Sequence, residues 1–195
     1  MKRKAGSDMP QRNFGETLEN DVAQTLFTAE QLNAKCAELG QVLSKDYGGQ
    51  VPLLVGVLNG AMVFMSDLLK QVSIPVEVDT ISVASYGQGA TSGELRFRKD
   101  VDSDVNGRHV IFIEDIVDTG KTLKKVLEVF SSRGAASVQI CALLDKKARR
   151  EVEGLDLKYV GFECPDEFVV GYGIDYAERY RNLAYVGALK RSVYE

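Results

Sequence analysis

The segment His109-Val110-Ile111-Phe112-Ile113-Glu114-Asp115-Ile116-Val117-Asp118-Thr119-Gly120-Lys121-Thr122 constrains this chain more than any other stretch. It starts as an apolar, mostly β-branched run, the composition of a strand buried on both faces. It turns acidic at Glu114-Asp115 and ends in a polar turn, Asp118 to Thr122. Beyond it, Leu123, Val126, Leu127 and Phe130 fall at i, i+3, i+4 and i+7, the apolar stripe of a helix that stops at Gly134. The segment therefore reads strand, acidic tip, small-residue turn, helix. Backbone N–H groups at a helix N-terminus attract anions, and Thr and Gly let a phosphate approach them. A carboxylate pair beside such a site makes sense if it holds sugar hydroxyls or a hard cation such as Mg²⁺. The Gly120-Lys121-Thr122 triplet imitates the end of a P-loop, but that motif needs glycine where Asp115 stands. A plain capped junction would leave three acids clustered without a cation or ligand, which like-charge repulsion makes costly.

At 195 residues the chain is long enough for one domain with a real core. Its 24 Lys and Arg stand against 28 Asp and Glu, net −4, so charge does not favour nonspecific nucleic-acid binding. No apolar run approaches a membrane span and the N-terminus lacks the apolar core of a signal peptide, so no membrane association and a cytoplasmic place are expected. Cys36, Cys141 and Cys164 are scattered in apolar surroundings, which suits buried reduced thiols rather than disulfides or metal ligands. His109 is the single histidine, so no His-based triad or zinc cluster can be built and its role is structural.

Residues 1–20 are polar, with Lys2-Arg3-Lys4 at the start, and read as an unfolded tail before a single domain over 21–195. Thr28 and Gln31 fit a capping box ahead of the stripe Leu32, Cys36, Leu39, Leu43, and Gly48-Gly49 ends that helix. Val51 to Leu58 is a long apolar strand that runs into Asn59-Gly60-Ala61 and a helix carrying Met62, Met65, Leu68 and Leu69, a second possible anion cradle. Val76 to Ser85 alternates as a strand should. The stretch 85–107 that follows is polar and charged apart from Leu95 and Phe97, as in a surface hairpin or an active-site lid. Ser137 to Leu144 is another buried strand, and it ends in Asp145-Lys146-Lys147-Ala148-Arg149-Arg150, at the edge where open α/β sheets bind ligands. Tyr159 to Phe162 continues the sheet and Leu183 to Leu189 is a last strand. Taken by itself, Phe168 reads as a core residue. Strands alternating with helices imply a mainly parallel sheet covered on both faces, with every polar cluster gathered on one edge.

The run Glu114 to Thr122 resembles the motif by which type I phosphoribosyltransferases bind 5-phosphoribosyl-1-pyrophosphate (PRPP), and its details resemble the hypoxanthine-guanine branch. Phe168-Val169-Val170-Gly171-Tyr172-Gly173, with Asp175 and Arg181 downstream, is similar to that family's base-binding hood, which the resemblance places in 163–195. The likeness extends from about Thr28 to Leu189. It implies the type I phosphoribosyltransferase fold and transfer of the phosphoribosyl group of PRPP to N9 of hypoxanthine or guanine. The products are purine nucleoside monophosphates and pyrophosphate. Under this likeness Asp118, Thr119, Gly120, Lys121 and Thr122 hold the 5′-phosphate, and Asp118 is the general base near purine N7. Glu114 and Asp115 hold ribose hydroxyls and Mg²⁺, and Asp175 reaches a second Mg²⁺ through water. Asn59, Gly60 and Arg181 bind pyrophosphate. The family commonly has lysine at the position of Asn59, and a non-proline cis bond before it. Ser85 and Tyr86 begin the flexible lid. Lys146 reads the purine O6, Phe168 stacks on the ring, and Val169 and Asp175 face the 2-position. A homodimer or homotetramer is implied as well. A xanthine-preferring or broad 6-oxopurine enzyme is the alternative. A nucleic-acid regulator of the same fold is disfavoured by the acidic balance and the complete hood. A PRPP synthetase would need a longer chain and an ATP site.

Overall fold

The side chains of the central strand sort to two faces. In β5 (His109–Val117), Ile111 and Ile113 enter one apolar cluster with Leu32, Leu39 and Leu43 of α1 (Ala29–Asp46) and Phe64 and Leu68 of α2 (Met62–Leu69). Val110 and Phe112 enter a second cluster with Leu123, Val126 and Phe130 of α3 (Lys121–Ser132). This is the alternation a pleated strand requires, and helices cover both faces. Phe112 meets Phe130 edge-on, with ring centroids 4.8 Å apart at 87°. The computed structural model describes residues 17–85 and 95–195.

β2 (Leu53–Val57), β3 (Glu77–Ser85), β4 (Leu95–Lys99), β5, β6 (Ser137–Asp145) and β7 (Tyr159–Glu163) form a six-stranded sheet in the order β4-β3-β2-β5-β6-β7. All its pairings are parallel except β3 with β4. The expected mainly parallel sheet flanked by helices is therefore the architecture found. The capping box at Thr28 forms as expected: its hydroxyl accepts from the Gln31 amide and the Gln31 side chain accepts from the Thr28 amide. His109 Nδ1 lies 2.7 Å from Ser137 Oγ, a contact between neighbouring strands that fits a structural histidine.

A second sheet of three antiparallel strands runs β1-β9-β8, from β1 (Val22–Phe27), β8 (Val169–Val170) and β9 (Val186–Leu189). This small sheet contains the segment expected as the hood. The 163–195 segment contributes β8 and β9, and β1 supplies an edge strand from the other end of the chain. The strand expected over Leu183 to Leu189 begins only at Val186. Leu183 instead turns, its amide donating to Tyr180 O and its carbonyl accepting from Tyr172. A short 3₁₀ turn, Leu18–Asp21, lies just inside the stretch expected as a tail, and Asp21 Oδ2 accepts from the Tyr180 hydroxyl at 2.7 Å. Within 85–107, residues 95–99 pair as β4, while Tyr86 and the first half of the expected lid lie outside the described residues.

Candidate active site

Parallel strands end together, so β2, β5 and β6 deliver their following residues to one edge. After β2 comes Leu58-Asn59-Gly60, with the expected cis peptide between Leu58 and Asn59. After β5 comes Asp118-Thr119-Gly120, and after β6 comes Lys146. A cavity of about 300 Å³ is lined by Leu58, Glu114, Asp118, Thr119, Gly120 and Thr122, with Leu123 and Val126 at its apolar side. The Asp118 to Thr122 turn opens into this space. Gly120 caps α3 with φ 78°, the left-handed conformation that glycine adopts without steric cost.

Glu114 and Asp115 are neighbours on a strand and so leave it on opposite faces. Glu114 points into the cavity beside α3. Asp115 points to the other face, where a Cβ on Gly60 would fall 1.7 Å from Asp115 Oδ2. Only a glycine lets the Asn59-Gly60 turn lie this close to the acid. Burial pushes the Asp115 carboxyl up to about 6; the Ile116 amide and the Arg181 guanidinium pull against that rise, and Asp175 adds to it. Burial, together with the Asp115 charge, pushes Glu114 well above the ordinary carboxylate range. Its Oε2 is buried without a hydrogen-bond partner among the described residues. A buried acid beside a half-buried one whose Oε2 is orphaned suits a place where a cation or sugar hydroxyls complete the shell. The donor chemistry therefore fits Mg²⁺, which binds through one or two carboxylates plus substrate oxygens.

Among the described residues, no three His, Cys, Asp or Glu side chains are grouped to hold a metal ion. Asp175 pairs with Arg181, whose Nη2 lies 2.8 Å from Asp175 Oδ1, and accepts from the Glu178 amide at 2.9 Å. Arg181 also donates from Nη1 to Gly173 O at 2.8 Å. A Cβ on Gly173 would stand 2.2 Å from Gly60 O, so the hood touches the turn after β2. Asn59, Gly60, Asp115, Gly173, Asp175 and Arg181 are thus one neighbourhood.

Lys146 is buried, its amide donating to Val117 O and its Nζ to Glu167 O at 2.7 Å. An ammonium has three donors, so further ones remain for a ligand. Phe168 is 38 % exposed, not a core residue. It stacks on Tyr194 (centroids 4.8 Å, 24°) and meets Tyr176 edge-on (5.2 Å, 86°). Val169 is buried in β8. Lys121 sends its ammonium to Glu151, and its backbone amide donates to Thr119 Oγ1 at 3.5 Å within the turn. Thr122 lies in the first turn of α3 and lines the cavity. Ser85 is the last residue of β3. Sequence reasoning missed Tyr194 and Tyr176 behind Phe168, since nothing in a lone aromatic near residue 194 marks its partner. It also missed Tyr172, at φ 51°, whose hydroxyl donates to Asp67 Oδ2 at 2.7 Å and pins the hood to α2.

The family model for the phosphoribosyl transferase domain matches residues 23–177. The chain is 51% identical over 178 residues to a hypoxanthine-guanine phosphoribosyltransferase of Streptococcus agalactiae, covering 91% of this chain and 98% of the relative. The protein of that name from Streptococcus thermophilus is 49% identical over the same shares. A crystal structure of a hypoxanthine phosphoribosyltransferase from Staphylococcus aureus superposes with a TM-score of 0.88 at 45% identity, covering 93% of this chain and 98% of that one.

Proposed function

The chain belongs to the phosphoribosyl transferase family, and from that premise we propose how its residues carry out purine salvage. The reaction transfers the 5-phosphoribosyl group from PRPP to N9 of hypoxanthine or guanine and releases pyrophosphate. The observation that carries this reading is the junction at β5. An acid pair with a buried, unpartnered oxygen stands beside a glycine-capped turn and cavity, with a buried lysine after β6 and a half-exposed phenylalanine in the hood.

The Asp118 to Thr122 turn holds the 5′-phosphate with backbone amides, which point outward where a helix begins. Glu114 and Asp115 bind the ribose hydroxyls from the two sides of the strand tip and are the residues that would hold Mg²⁺. When bound, the metal offsets charge on the pyrophosphate oxygens. Arg181 and the Asn59-Gly60 turn bind the leaving pyrophosphate, where negative charge grows as the C1′–O bond breaks. Asn59 offers backbone and amide groups where lysine would offer a charge. Asp118 accepts the proton from N7 of the purine as N9 bonds to C1′.

Base choice follows from donors and acceptors. Lys146 donates to O6, which suits hypoxanthine or guanine and disfavours the N6 amino group of adenine. Phe168 stacks on the ring, backed by Tyr194. Val169 and Asp175 lie toward the 2-position, with Asp175 orienting Arg181. Ser85 and Tyr86 begin a lid that excludes water from the ribosyl centre. In this reading residues 21–195 are one catalytic domain working as a homodimer or homotetramer, and free buried cysteines suit a cytoplasmic enzyme. No described helix is long and apolar enough to cross a membrane.

One assay tests the reading: pyrophosphate release from PRPP and Mg²⁺ with hypoxanthine, guanine, xanthine and adenine in turn. Hypoxanthine and guanine should turn over and adenine should not; turnover with adenine alone would refute the base assignment, and xanthine as best substrate would favour the broader enzyme. In the same assay Asp118→Asn should lower kcat by about 10² or more with the fold intact.

A further inference from the structure

Behind the phosphate turn lies a buried cation that none of the steps above uses. Arg150 is 17% exposed at its side chain and donates from Nη2 to Asp145 Oδ1 at 2.5 Å, itself only 6% exposed. Its Nε and Nη1 are buried without hydrogen-bond partners among the described residues. A guanidinium held this way is a poor stabiliser, because two desolvated donor groups offset much of what the ion pair contributes. An apolar pair would fill the space at less cost, so stability does not account for the arrangement.

Its position does account for it. Asp145 is fixed independently of Arg150: it pairs with Val117 and Glu163 across the sheet, and its carbonyl accepts from the Cys164 amide. From that anchor the Arg150 stem reaches Gly120. A Cβ on Gly120 would come within 3.1 Å of Arg150 Cδ, 2.9 Å of Val152 Cγ2 and 2.7 Å of Leu155 Cδ2. The same segment also grips the turn and the helix that follows it. The Glu151 amide donates to Thr119 O at 3.1 Å, and Lys124 Nζ donates to Glu153 O at 3.0 Å. Residues 150–155 thus form a strap across the back of the turn, and the Asp145–Arg150 pair holds one end of it to the sheet.

We propose that Arg150 is a positioning residue for the 5′-phosphate: tied to Asp145 and laid against Gly120, it sets the shape of the Asp118 to Thr122 turn. This rests on the functional reading given above. Arg150 does not touch substrate; it fixes the backbone amides that do. A planar guanidinium suits the task, since its fork keeps one orientation where a lysine would swivel.

Steady-state kinetics test it with Arg150→Met, which keeps the stem over Gly120 and removes the charge, and with Arg150→Lys. The KM for PRPP should rise about tenfold in Arg150→Met and less in Arg150→Lys, while the KM for hypoxanthine stays within about twofold. A merely structural arginine would lower the amount of folded enzyme without splitting the two constants. If Arg150→Met does not fold, the double variant Asp145→Leu/Arg150→Met removes the unpaired buried charge, and it should fold with a raised KM for PRPP. An unchanged KM for PRPP in a folded variant, or a parallel rise of both constants, overturns the proposal. Absence of transfer by the unaltered chain would instead overturn the reading of the function.

Discussion

Glu114 illustrates how a single residue can be worse for the fold than its neutral isostere. Its carboxylate is buried, an oxygen has no partner among the described residues, and Asp115 stands beside it. With its carboxyl pushed far above the ordinary range, the folded chain without ligands pays for ionising it. Glu114→Gln should therefore raise the melting temperature of the ligand-free protein while raising the KM for PRPP. Thermal unfolding beside steady-state kinetics checks both, and a lower melting temperature would show that the acid is satisfied in a way the fold does not reveal. The same contrast marks Gly60 and Gly173, where a methyl group would collide with Asp115 and with Gly60 itself. Local sequence flagged Gly60 as a turn residue and Gly173 only as part of the hood motif. It could not say that they let three segments touch.

At the scale of elements, the β3–β4 pair depends on one carboxylate. Asp79, on β3, accepts from Lys99 Nζ at 2.8 Å and from the amides of Thr80 (2.7 Å), Asp102 (2.8 Å) and Ser103 (3.4 Å). Burial alone would raise its carboxyl; these donors outweigh burial and bring it to about 2. Arg133 at the end of α3 continues the clasp with a bidentate contact to Asp100, at 2.7 and 2.5 Å. A depressed folded-state value stabilises the fold above the unfolded value near 3.8 and loses that contribution as pH falls toward 2. Asp79→Asn should thus cost about 2 kcal/mol at pH 7, a difference that shrinks between about pH 4 and pH 2. Urea unfolding across that range tests the claim; a cost independent of pH would assign the effect to lost geometry rather than charge. The strand pair was half legible in sequence. Alternation marked β3, but Leu95 and Phe97 were too few apolar positions to declare β4 without its partner.

For the whole molecule, the hood segment meets the edge of the main sheet where Gly173 lies against Gly60 and Lys146 donates to Glu167 O, so a ligand that bridges the two should hold the hood on the main sheet. A ligand at about 100 times its Kd adds about 2.7 kcal/mol to stability, which for a chain of this size is a rise of roughly 5–10 °C. Inosine or guanosine monophosphate should produce such a rise in differential scanning fluorimetry and adenosine monophosphate should not. Equal shifts with all three would mean that the phosphate turn binds while Lys146 and the hood do not discriminate.

What the sequence determined by itself was everything with a short period. The two-residue alternation of strands, the stripe of α1 and α3, the capping box at Thr28 and the strand–turn–helix at Glu114 to Thr122 each arise from neighbours within a few positions, so they are written locally. Tertiary structure alone decided the rest. It paired Val22 with Leu189 from opposite ends of the chain, turned Asp175 toward Arg181 and set Arg150 against Gly120. Those relations depend on which surfaces the packed core brings together, and packing is a property of the whole volume rather than of any window of residues.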